Sequence, residues 1–394
     1  MISEADYTKR LKNLQIQMKV HNLDAFLVTE PHSIYYLTGA SYEAQERPFF
    51  IIIWSMGSPT FLVPKLEEEH MRKAKIGDVK SYWEFPAPRG EGWGEKLYDI
   101  LKPGNEVGIE PGMRIEMQQL LSKYNLKAID MVGGLRLIKS SNELKMIRNT
   151  AHHSDELMRL IMTNSYYGVS VLELFGLSRK IQLKLIKSGK YDPLASSFLS
   201  ANWPAPHSAK PHSIPPVYGV LKKGPCVAMS YLRINGYAAE CERTFFVSKP
   251  TPKEKVIFND MLSARQIALS MLRPGVSCHD VDKATYDFLV EKGYNHNILH
   301  RTGHGIGQDN HEGPYLARGS KTELEENMVV SIEPGIYMPE LGGFRHSDTV
   351  LITSSGYELL TNFPTDLKSL TILSKKLAKQ VKGKLIQTAM GIKK

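Results

Sequence analysis

Two glycine-rich segments near the C-terminal end, residues 300–314 and 328–349, constrain the fold more than any other part of the chain. The first places His304 and His311 among glycines, and the second places Glu333 directly after a short apolar run. Glycine lets the backbone approach a neighbouring strand closely, which keeps a cluster of polar side chains open. The pattern therefore predicts strand ends that direct imidazoles and a carboxylate into one pocket.

The length and the order of predicted elements indicate two domains. A chain of 394 residues exceeds what one ordinary core supports. In residues 1–133, short apolar strands alternate with helices, which predicts a smaller α/β domain. Residues 134–370 combine amphipathic helices with hairpins, which predicts an α+β domain, and residues 371–394 form a basic extension. The predicted fold class of the whole chain is α+β.

The net charge of +9 is concentrated in this extension. Residues 371–394 contain seven lysines and no acid, which is +7 and leaves +2 for the rest of the chain. Such a tail can bind nucleic acid or an acidic membrane surface, but a frayed, solvated extension is the favoured interpretation. The sequence has no basic stripe with interleaved aromatic residues, so we expect no nucleic-acid partner.

Hydropathy and cysteine content predict the compartment. No apolar run reaches the roughly 18–20 residues that a membrane span requires, and the N-terminus lacks the pattern of a secretory signal. Cys226, Cys241 and Cys278 are odd in number and show no paired spacing, which fits a reducing environment. We therefore expect a cytoplasmic protein that has no membrane partner.

Each residue that could do chemistry also has a simpler interpretation. A lone histidine in a loop is more often a hydrogen-bonded surface residue than a catalyst, and Glu242, directly before Arg243, could simply form an ion pair. Cys241 lies between Glu240 and Glu242 in a predicted strand, and strand alternation directs it to the opposite face. Only the combination of several such residues with the two glycine-rich segments supports an active site.

Several motifs together resemble the creatinase/prolidase/aminopeptidase P family of M24 peptidase-like proteins. They are His304-Gly305-Ile306-Gly307, His311-Glu312-Gly313-Pro314, Ser331-Ile332-Glu333-Pro334-Gly335-Ile336-Tyr337 and Gly342-Gly343-Phe344-Arg345. The resemblance is strongest over residues 136–362. It implies a C-terminal pita-bread domain preceded by a smaller creatinase-type N-terminal domain. It also implies a homodimer, in which the N-terminal domain of one subunit completes the active site of its partner.

In the metallopeptidases of that family, the resemblance implies two metal ions held by Asp, Asp, His, Glu and Glu. At these positions this chain has Met229, Glu240, His304, Glu333 and Ser347. A thioether and a hydroxyl do not replace bridging or bidentate carboxylates for hard divalent ions. We therefore expect no metal pair and no cofactor, although Glu240, His304 and Glu333 would still allow one weakly bound divalent ion.

The active-site pattern is most similar to creatinase, the metal-free branch of the family. The resemblance makes His212 the general base and acid, and makes Glu242 and Glu333 the carboxylates that bind a cationic group. His304 completes the predicted catalytic set. Two carboxylates can hold an amidinium or guanidinium through bidentate hydrogen bonds, and an imidazole can activate water and then protonate a leaving nitrogen.

The predicted substrate-binding residues are Arg47, Glu240, His311 and His346. The resemblance assigns Arg47 to a substrate carboxylate, acting from the partner subunit. A second carboxylate-binding arginine of creatinase falls near Tyr315 here, so creatine itself is not the expected substrate.

The sequence supports three functions in this order. The first is metal-independent, creatinase-like hydrolysis of a C–N bond in a small cationic or zwitterionic, amidine- or guanidine-like compound. The alternative is a divergent metal-dependent Xaa-Pro dipeptidase or aminopeptidase. The third is a non-catalytic scaffold with the same fold, against which the retained polar residues argue, because buried charge without a function is costly.

Overall fold

The computed structural model describes residues 2–43, 45–374 and 377–391. The chain divides into two compact units, Met1–Asn142 and Glu143–Lys394. The pair Gly133-Gly134, at which the sequence predicts a domain boundary, lies inside a helix of the first unit. The domain limits 1–133, 134–370 and 371–394 stay a prediction.

The first unit is built on a mixed sheet. Within the described residues its strands are β1 (Ala25–Val28), β2 (Phe50–Trp54), β3 (Thr60–Pro64), β4 (Asp78–Tyr82), β5 (Glu106–Ile109) and β6 (Asn125–Ala128). They lie in the order β4-β3-β2-β1-β5-β6, and β1 pairs antiparallel with β2 and parallel with β5. Its helices are α1 (Glu4–Val20), α2 (Pro31–Thr38), α3 (Glu68–Met71), α4 (Trp93–Ile100), α5 (Ile115–Leu120) and α6 (Met131–Arg136).

Both faces of this sheet are buried, which explains the continuous apolar runs of its central strands. Phe26, Ile51 and Ile53 belong to the core on one face, and Phe50 and Ile52 belong to the core on the other. The sequence pattern does not predict the edge strands β4 and β6. Their residues are mostly exposed or half-buried, so selection for a regular apolar pattern is absent there.

The second unit carries an antiparallel sheet. Its strands in the described part of the chain are β7 (Ser197–Trp203), β8 (Cys226–Ile234), β9 (Tyr237–Phe245), β10 (Gly303–Gly305), β11 (Glu312–Leu316), β12 (Val329–Ile332), β13 (Gly335–Met338), β14 (Gly342–Arg345), β15 (Ser347–Ile352) and β16 (Tyr357–Leu359). The strand order is β11-β10-β12-β15-β9-β8-β7, with β16 paired to β15. β13 and β14 form a separate hairpin.

Helices cover one face of this sheet. They are α7 (Ser141–Asn164), α8 (Val171–Phe175), α9 (Ser178–Lys187), α10 (Pro252–Met271) and α11 (Cys278–Glu291). A further helix, α12 (Leu377–Ala389), follows the last strand. Met158 and Ile161 of α7 and Phe258 and Met261 of α10 share a core with Cys241 of β9. The residues on either side of Cys241 therefore face away from this core. Within residues 2–43, 45–374 and 377–391, no helix is both long and apolar enough to cross a membrane.

Two predictions about local structure are wrong. The sequence of residues 171–187 predicts one helix, but the structure has two, because the first ends at Phe175 and is followed by Gly176. The proline and histidine content of residues 202–216 predicts a loop from Asn202, but the loop begins later, since Asn202 and Trp203 still pair with β8. Cross-strand hydrogen bonds that hold these two residues in β7 depend on a partner distant in sequence, which local composition does not reveal.

The basic extension is helical and docked where the structure describes it, so the expectation of a frayed tail is wrong for this part. A Cβ added to Gly383 of α12 would lie 2.7 Å from the carbonyl oxygen of Tyr167, which indicates close backbone contact with the segment that follows α7. Lys382 pairs with Glu173. Four lysines of the basic extension lie outside the described residues, namely Lys375, Lys376, Lys393 and Lys394.

A buried ion-pair cluster joins β9, β15 and α10 on the helix-covered side. Asp348 Oδ1 accepts a hydrogen bond from Arg243 Nη2 at 2.7 Å, and its Oδ2 accepts one from Arg265 Nη2 at 2.6 Å. Arg243 Nη1 also donates to the carbonyl of Ser347 at 2.9 Å. Burial by itself would raise the pKa of Asp348, but the two guanidinium groups lower it. The cluster fixes β9 relative to β15.

We expect Asp348→Asn to destabilise the chain by about 3–5 kcal/mol, because it leaves two buried guanidinium groups without a counter-charge. Urea unfolding followed by circular dichroism measures this loss. Asp287→Asn is the matched control, since it removes the same group from the exposed Lys283–Asp287 pair and should cost less than about 1 kcal/mol. Equal losses for the two variants would contradict the structural role of the cluster.

Candidate active site

Strand alternation places Glu240 and Glu242 on the face of β9 opposite the helix-facing Cys241. Cross-strand pairing sets Met229 of β8 and Ser347 of β15 on either side of Glu242. One row across this face therefore reads Met229, Glu242 and Ser347. Glu240 lies on the same face, two residues along β9.

Glycines flank His304 because β10 packs too closely against its neighbours to accommodate side chains there. A Cβ on Gly303 would lie 2.0 Å from the carbonyl oxygen of Ser331, and a Cβ on Gly305 would lie 1.9 Å from that of Gly313. Close approach of this kind requires glycine. It holds His304, which is fully buried, between β11 and β12.

Glu240, His304 and Glu333 converge at the centre of the site. His304 Nε2 lies 3.2 Å from Glu333 Oε1 and 3.7 Å from Glu240 Oε1. One potential ligand atom from each residue falls within 4.8 Å of the other two. The structure thus brings together three residues that the sequence predicted to share a site, although β9, β10 and the end of β12 are distant in the chain.

The charges of these groups are strongly coupled. Burial favours neutral His304, but the hydrogen bond with Glu333 and the charge of Glu240 outweigh it and raise the pKa of His304 to about 9. Burial would likewise raise the pKa of Glu333, yet His304 holds it at about 2. Burial raises the pKa of Glu240. In this state His304 and Glu333 form an imidazolium–carboxylate pair.

The surroundings of Glu240 also fit a cation. Ser347 Oγ donates a hydrogen bond to Glu240 Oε1 at 2.7 Å, and the side chain of Asn310 hydrogen-bonds to the same carboxylate. Asn310 Oδ1 is buried and has no hydrogen-bond partner among the described residues. Two carboxylates and an imidazole are ligands that Zn²⁺, Mn²⁺ and Co²⁺ accept, and three protein ligands leave room for substrate. Glu240, His304 and Glu333 therefore fit one divalent cation.

Glu242 is engaged differently. Its Oε1 accepts a hydrogen bond from Arg345 Nη2 at 2.7 Å, and Arg345 Nε contacts its Oε2. Arg345 Nη1 donates to the hydroxyl of Tyr337 at 3.0 Å, and that hydroxyl lies 2.7 Å from His300 Nε2. Burial lowers the pKa of His300, so the neutral ring accepts this bond from Tyr337, and its Nδ1–H donates to the carbonyl of Arg301. Both oxygens of Glu242 thus face a guanidinium.

Two further predicted histidines extend from the centre towards solvent. The ring of His311 stacks on that of His304 with centroids 3.8 Å apart. The exposed ring of His212 lies edge-on to His311, 6.4 Å between centroids. Surrounding protein and the charge of His304 lower the pKa of His311 to about 4, so His311 is neutral at physiological pH. The structure therefore places His212, His311 and His304 in one line.

The structure does not bring His346 to this face. Its Nδ1 accepts a hydrogen bond from the Thr244 amide at 3.2 Å, and its Nε2 lies 3.1 Å from the carbonyl oxygen of Thr365. The ring packs edge-on against Phe258 of α10, and burial lowers its pKa to about 3. His346 is a neutral core residue with both nitrogens satisfied, so its predicted contact with substrate lacks geometric support.

Arg47 belongs to the first unit and already has acidic partners. Its Nε donates to Glu84 Oε2, and its Nη2 lies 3.5 Å from Glu46 Oε1. Together with Trp83 and Phe85 it lines a cavity of about 680 Å³. Its contact with a substrate carboxylate stays a prediction.

Sequence reasoning assigned no role to Arg345, Tyr337, His300 or Asn310. Strand alternation could have identified Arg345, because it lies two residues before Ser347 and therefore faces the same side of the sheet as Glu242. The same rule would have directed His346 into the core. The remaining three lie within the motif-bearing segments: His300 and Asn310 in loops, where alternation predicts nothing, and Tyr337 in the separate hairpin of β13 and β14.

Two family models match this chain. Residues 145–354 match the metallopeptidase family M24, and residues 10–149 match the creatinase/prolidase N-terminal domain. The two matches together confirm the predicted fold, which is a smaller creatinase-type domain followed by a pita-bread domain.

Relatives match over almost their whole length. The chain is 28% identical over 365 residues to an Xaa-Pro dipeptidase of Pyrococcus furiosus, covering 91% of this chain and 99% of the relative. The prolidase structure from Pyrococcus horikoshii superimposes with a TM-score of 0.79 at 28% identity, covering 91% and 99% of the two chains. The N-terminal domain of the FACT subunit SPT16 from chickpea reaches a TM-score of 0.76 over 95% of this chain and 100% of that chain, but at 15% identity, which shows the fold alone.

These findings correct two expectations. Metal-independent, creatinase-like C–N hydrolysis is wrong as the main function, because relatives matched at 28% identity over nearly their full length include an Xaa-Pro dipeptidase and a prolidase, which agrees with the alternative. The expectation of no cofactor is also wrong, since the matched family is one of metallopeptidases and Glu240, His304 and Glu333 form a group able to hold a metal ion.

The family resemblance itself is confirmed, whereas the metal-free branch receives no support. The coarse activity that follows is that of a hydrolase of the peptidase type. On the match of more than half of its residues, the chain belongs to metallopeptidase family M24.

Proposed function

We propose that this protein is an Xaa-Pro dipeptidase that uses a divalent cation bound by Glu240, His304 and Glu333. The observation that carries the proposal is the convergence of these three residues within 4.8 Å. The near full-length match to Xaa-Pro dipeptidases supports the choice of substrate. Water and a small peptide are then the reactants, and proline is one product.

Glu240, His304 and Glu333 would hold the divalent cation, which would supply Lewis-acid polarisation of the peptide carbonyl. Ser347 and Asn310 orient the carboxylate of Glu240 through hydrogen bonds. The neutral, solvent-accessible His311 hydrogen-bonds to the substrate beside His304.

His212 is proposed to donate the proton that the leaving proline nitrogen requires. Its ring is exposed at the outer end of the histidine line, where it can exchange protons with solvent. Hydrolysis of an Xaa-Pro bond leaves the proline nitrogen as the leaving group, which must be protonated, and an imidazole is a side chain that can donate this proton.

An apolar wall suits the proline ring. Leu199, Ala201, Trp203, Val227 and Met229 form one cluster, and Met229 lies directly beside Glu242. A pyrrolidine ring is apolar and compact, so contact with this cluster would remove it from water.

Purified full-length protein supplied with Mn²⁺ or Co²⁺ should release proline from Ala-Pro and Leu-Pro, and chelation should abolish the reaction. Glu333→Gln should lower kcat/KM at least about 100-fold, because even the outer partners of metal ligands contribute about 10- to 100-fold. Exposed Glu326→Gln is the matched control and should retain activity. The assay measures free proline, with Pro-Ala and creatine as comparison substrates. Absence of proline release with every metal tested would contradict the proposal.

His212→Ala should lower kcat by about 100- to 10,000-fold, the usual contribution of a general acid or base, while the amount of bound metal stays unchanged. His207→Ala removes an imidazole from the same segment, where its Nε2 lies 3.3 Å from the Ile214 carbonyl oxygen, and serves as the control. A His212→Ala variant with the same pH–kcat profile as the wild type would eliminate the proton-transfer role.

We also propose a homodimer in which the partner subunit's Arg47 contacts the substrate. Trp83 and Phe85, beside Arg47, are 49% and 99% exposed, and exposed aromatic side chains of this kind are common in interfaces. Light scattering should give twice the mass of one chain. Trp83→Ser with Phe85→Ser should shift this mass towards the monomer, whereas Met56→Ser, at a residue 78% exposed, should not. A monomeric wild type would contradict the proposal.

A further inference from the structure

The pair formed by Arg345 and Glu242 lies beside the cation-binding group and is as deeply buried. Glu242 is 2% exposed and Arg345 is 5% exposed. Arg345 Nη2 donates a hydrogen bond to Glu242 Oε1 at 2.7 Å, and Arg345 Nε contacts Oε2, so the guanidinium faces both carboxylate oxygens. An ion that coordinated Glu242 would therefore have to compete with this guanidinium for the carboxylate.

The neighbours of Glu242 in the sheet do not supply a carboxylate either. Met229 on β8 offers only a thioether, and its side chain packs with the apolar cluster that contains Trp203 and Val227. Ser347 on β15 offers a hydroxyl that already donates to Glu240 at 2.7 Å. Hard divalent ions are poorly served by either group.

Arg345 is fixed in position by more than Glu242. Tyr337 accepts a hydrogen bond from its Nη1 at 3.0 Å, and the amide of Arg345 donates to Thr244 Oγ1 at 2.7 Å. A guanidinium stays protonated in proteins, so this side of the site carries a permanent positive charge. A second ion placed here would meet that charge with Glu242, already paired with Arg345, as the one carboxylate of the row.

We infer that the Arg345–Glu242 pair takes the place of a second cation, so that the site binds one divalent ion per chain and not two. The inference rests on the proposed cation site at Glu240, His304 and Glu333, but not on the identity of the substrate. Arg345 supplies a built-in positive charge at the position where Glu242, which it already pairs with, is the one carboxylate of the row Met229–Glu242–Ser347.

Metal stoichiometry of the purified full-length protein tests this inference without any substrate. After saturation with MnCl₂ and desalting, elemental analysis should give about one Mn²⁺ per chain, and electron paramagnetic resonance should give the spectrum of an isolated ion. The triple variant Met229→Asp, Glu242→Thr, Ser347→Glu places a carboxylate on each side of position 242 and removes the partner of Arg345. It should bind about two Mn²⁺ and give the spectrum of a spin-coupled pair.

Ser263→Glu is the control, because it changes the net charge by the same one unit at an exposed position of α10 and should keep one ion. Two ions in the wild type would overturn the inference while leaving the dipeptidase proposal intact. No ion in the wild type would overturn both. A folded triple variant, verified by circular dichroism, that still binds one ion would also overturn it. If the triple variant does not fold, the wild-type count decides alone.

Discussion

Burial of carboxylates in the central sheet of the second unit requires a positive partner for each, because an unpaired buried charge is strongly destabilising. Asp348 is neutralised by Arg243 and Arg265 on the helix-covered face, and Glu242 is neutralised by Arg345 on the opposite face. These guanidinium groups are permanent cations. Their contacts hold β9 against β15, α10 and β14.

The partner of Glu240 and Glu333 is of a different kind. His304 lies within reach of both carboxylates and forms an ion pair with Glu333. An imidazole can be a cation or a metal ligand, whereas a guanidinium can only be a cation. The site therefore contains one position where a metal can take over the role of the positive charge and one where that role is already filled. This difference separates two acidic residues, Glu240 and Glu242, that lie only two positions apart on β9.

Much of the fold is predictable because local patterns reflect burial. The apolar runs of β2 and β3 and the glycine-bounded segments around His304 and Glu333 are recognisable from sequence, and alternation predicts that Cys241 points away from Glu240. The edge strands β4 and β6 are not predictable in this way, since few of their residues are buried. His346 is a case in which an available pattern was not applied. It was predicted to bind substrate because it is adjacent to Ser347, although alternation directs its side chain into the core.

The sequence by itself determined the family, through motifs whose glycines and polar residues occur at fixed spacing, and it determined that residues 229 and 347 carry no carboxylate. It could not determine what Glu242 binds. A free carboxylate beside His304 is equally suited to a cationic substrate, a metal ion or an arginine. Arg345 is 103 residues from Glu242 in the chain, and the pairing of β9 with β15 brings the two together. Only the tertiary structure decided the choice, because the partner of a buried charge depends on strand register and not on neighbours in sequence.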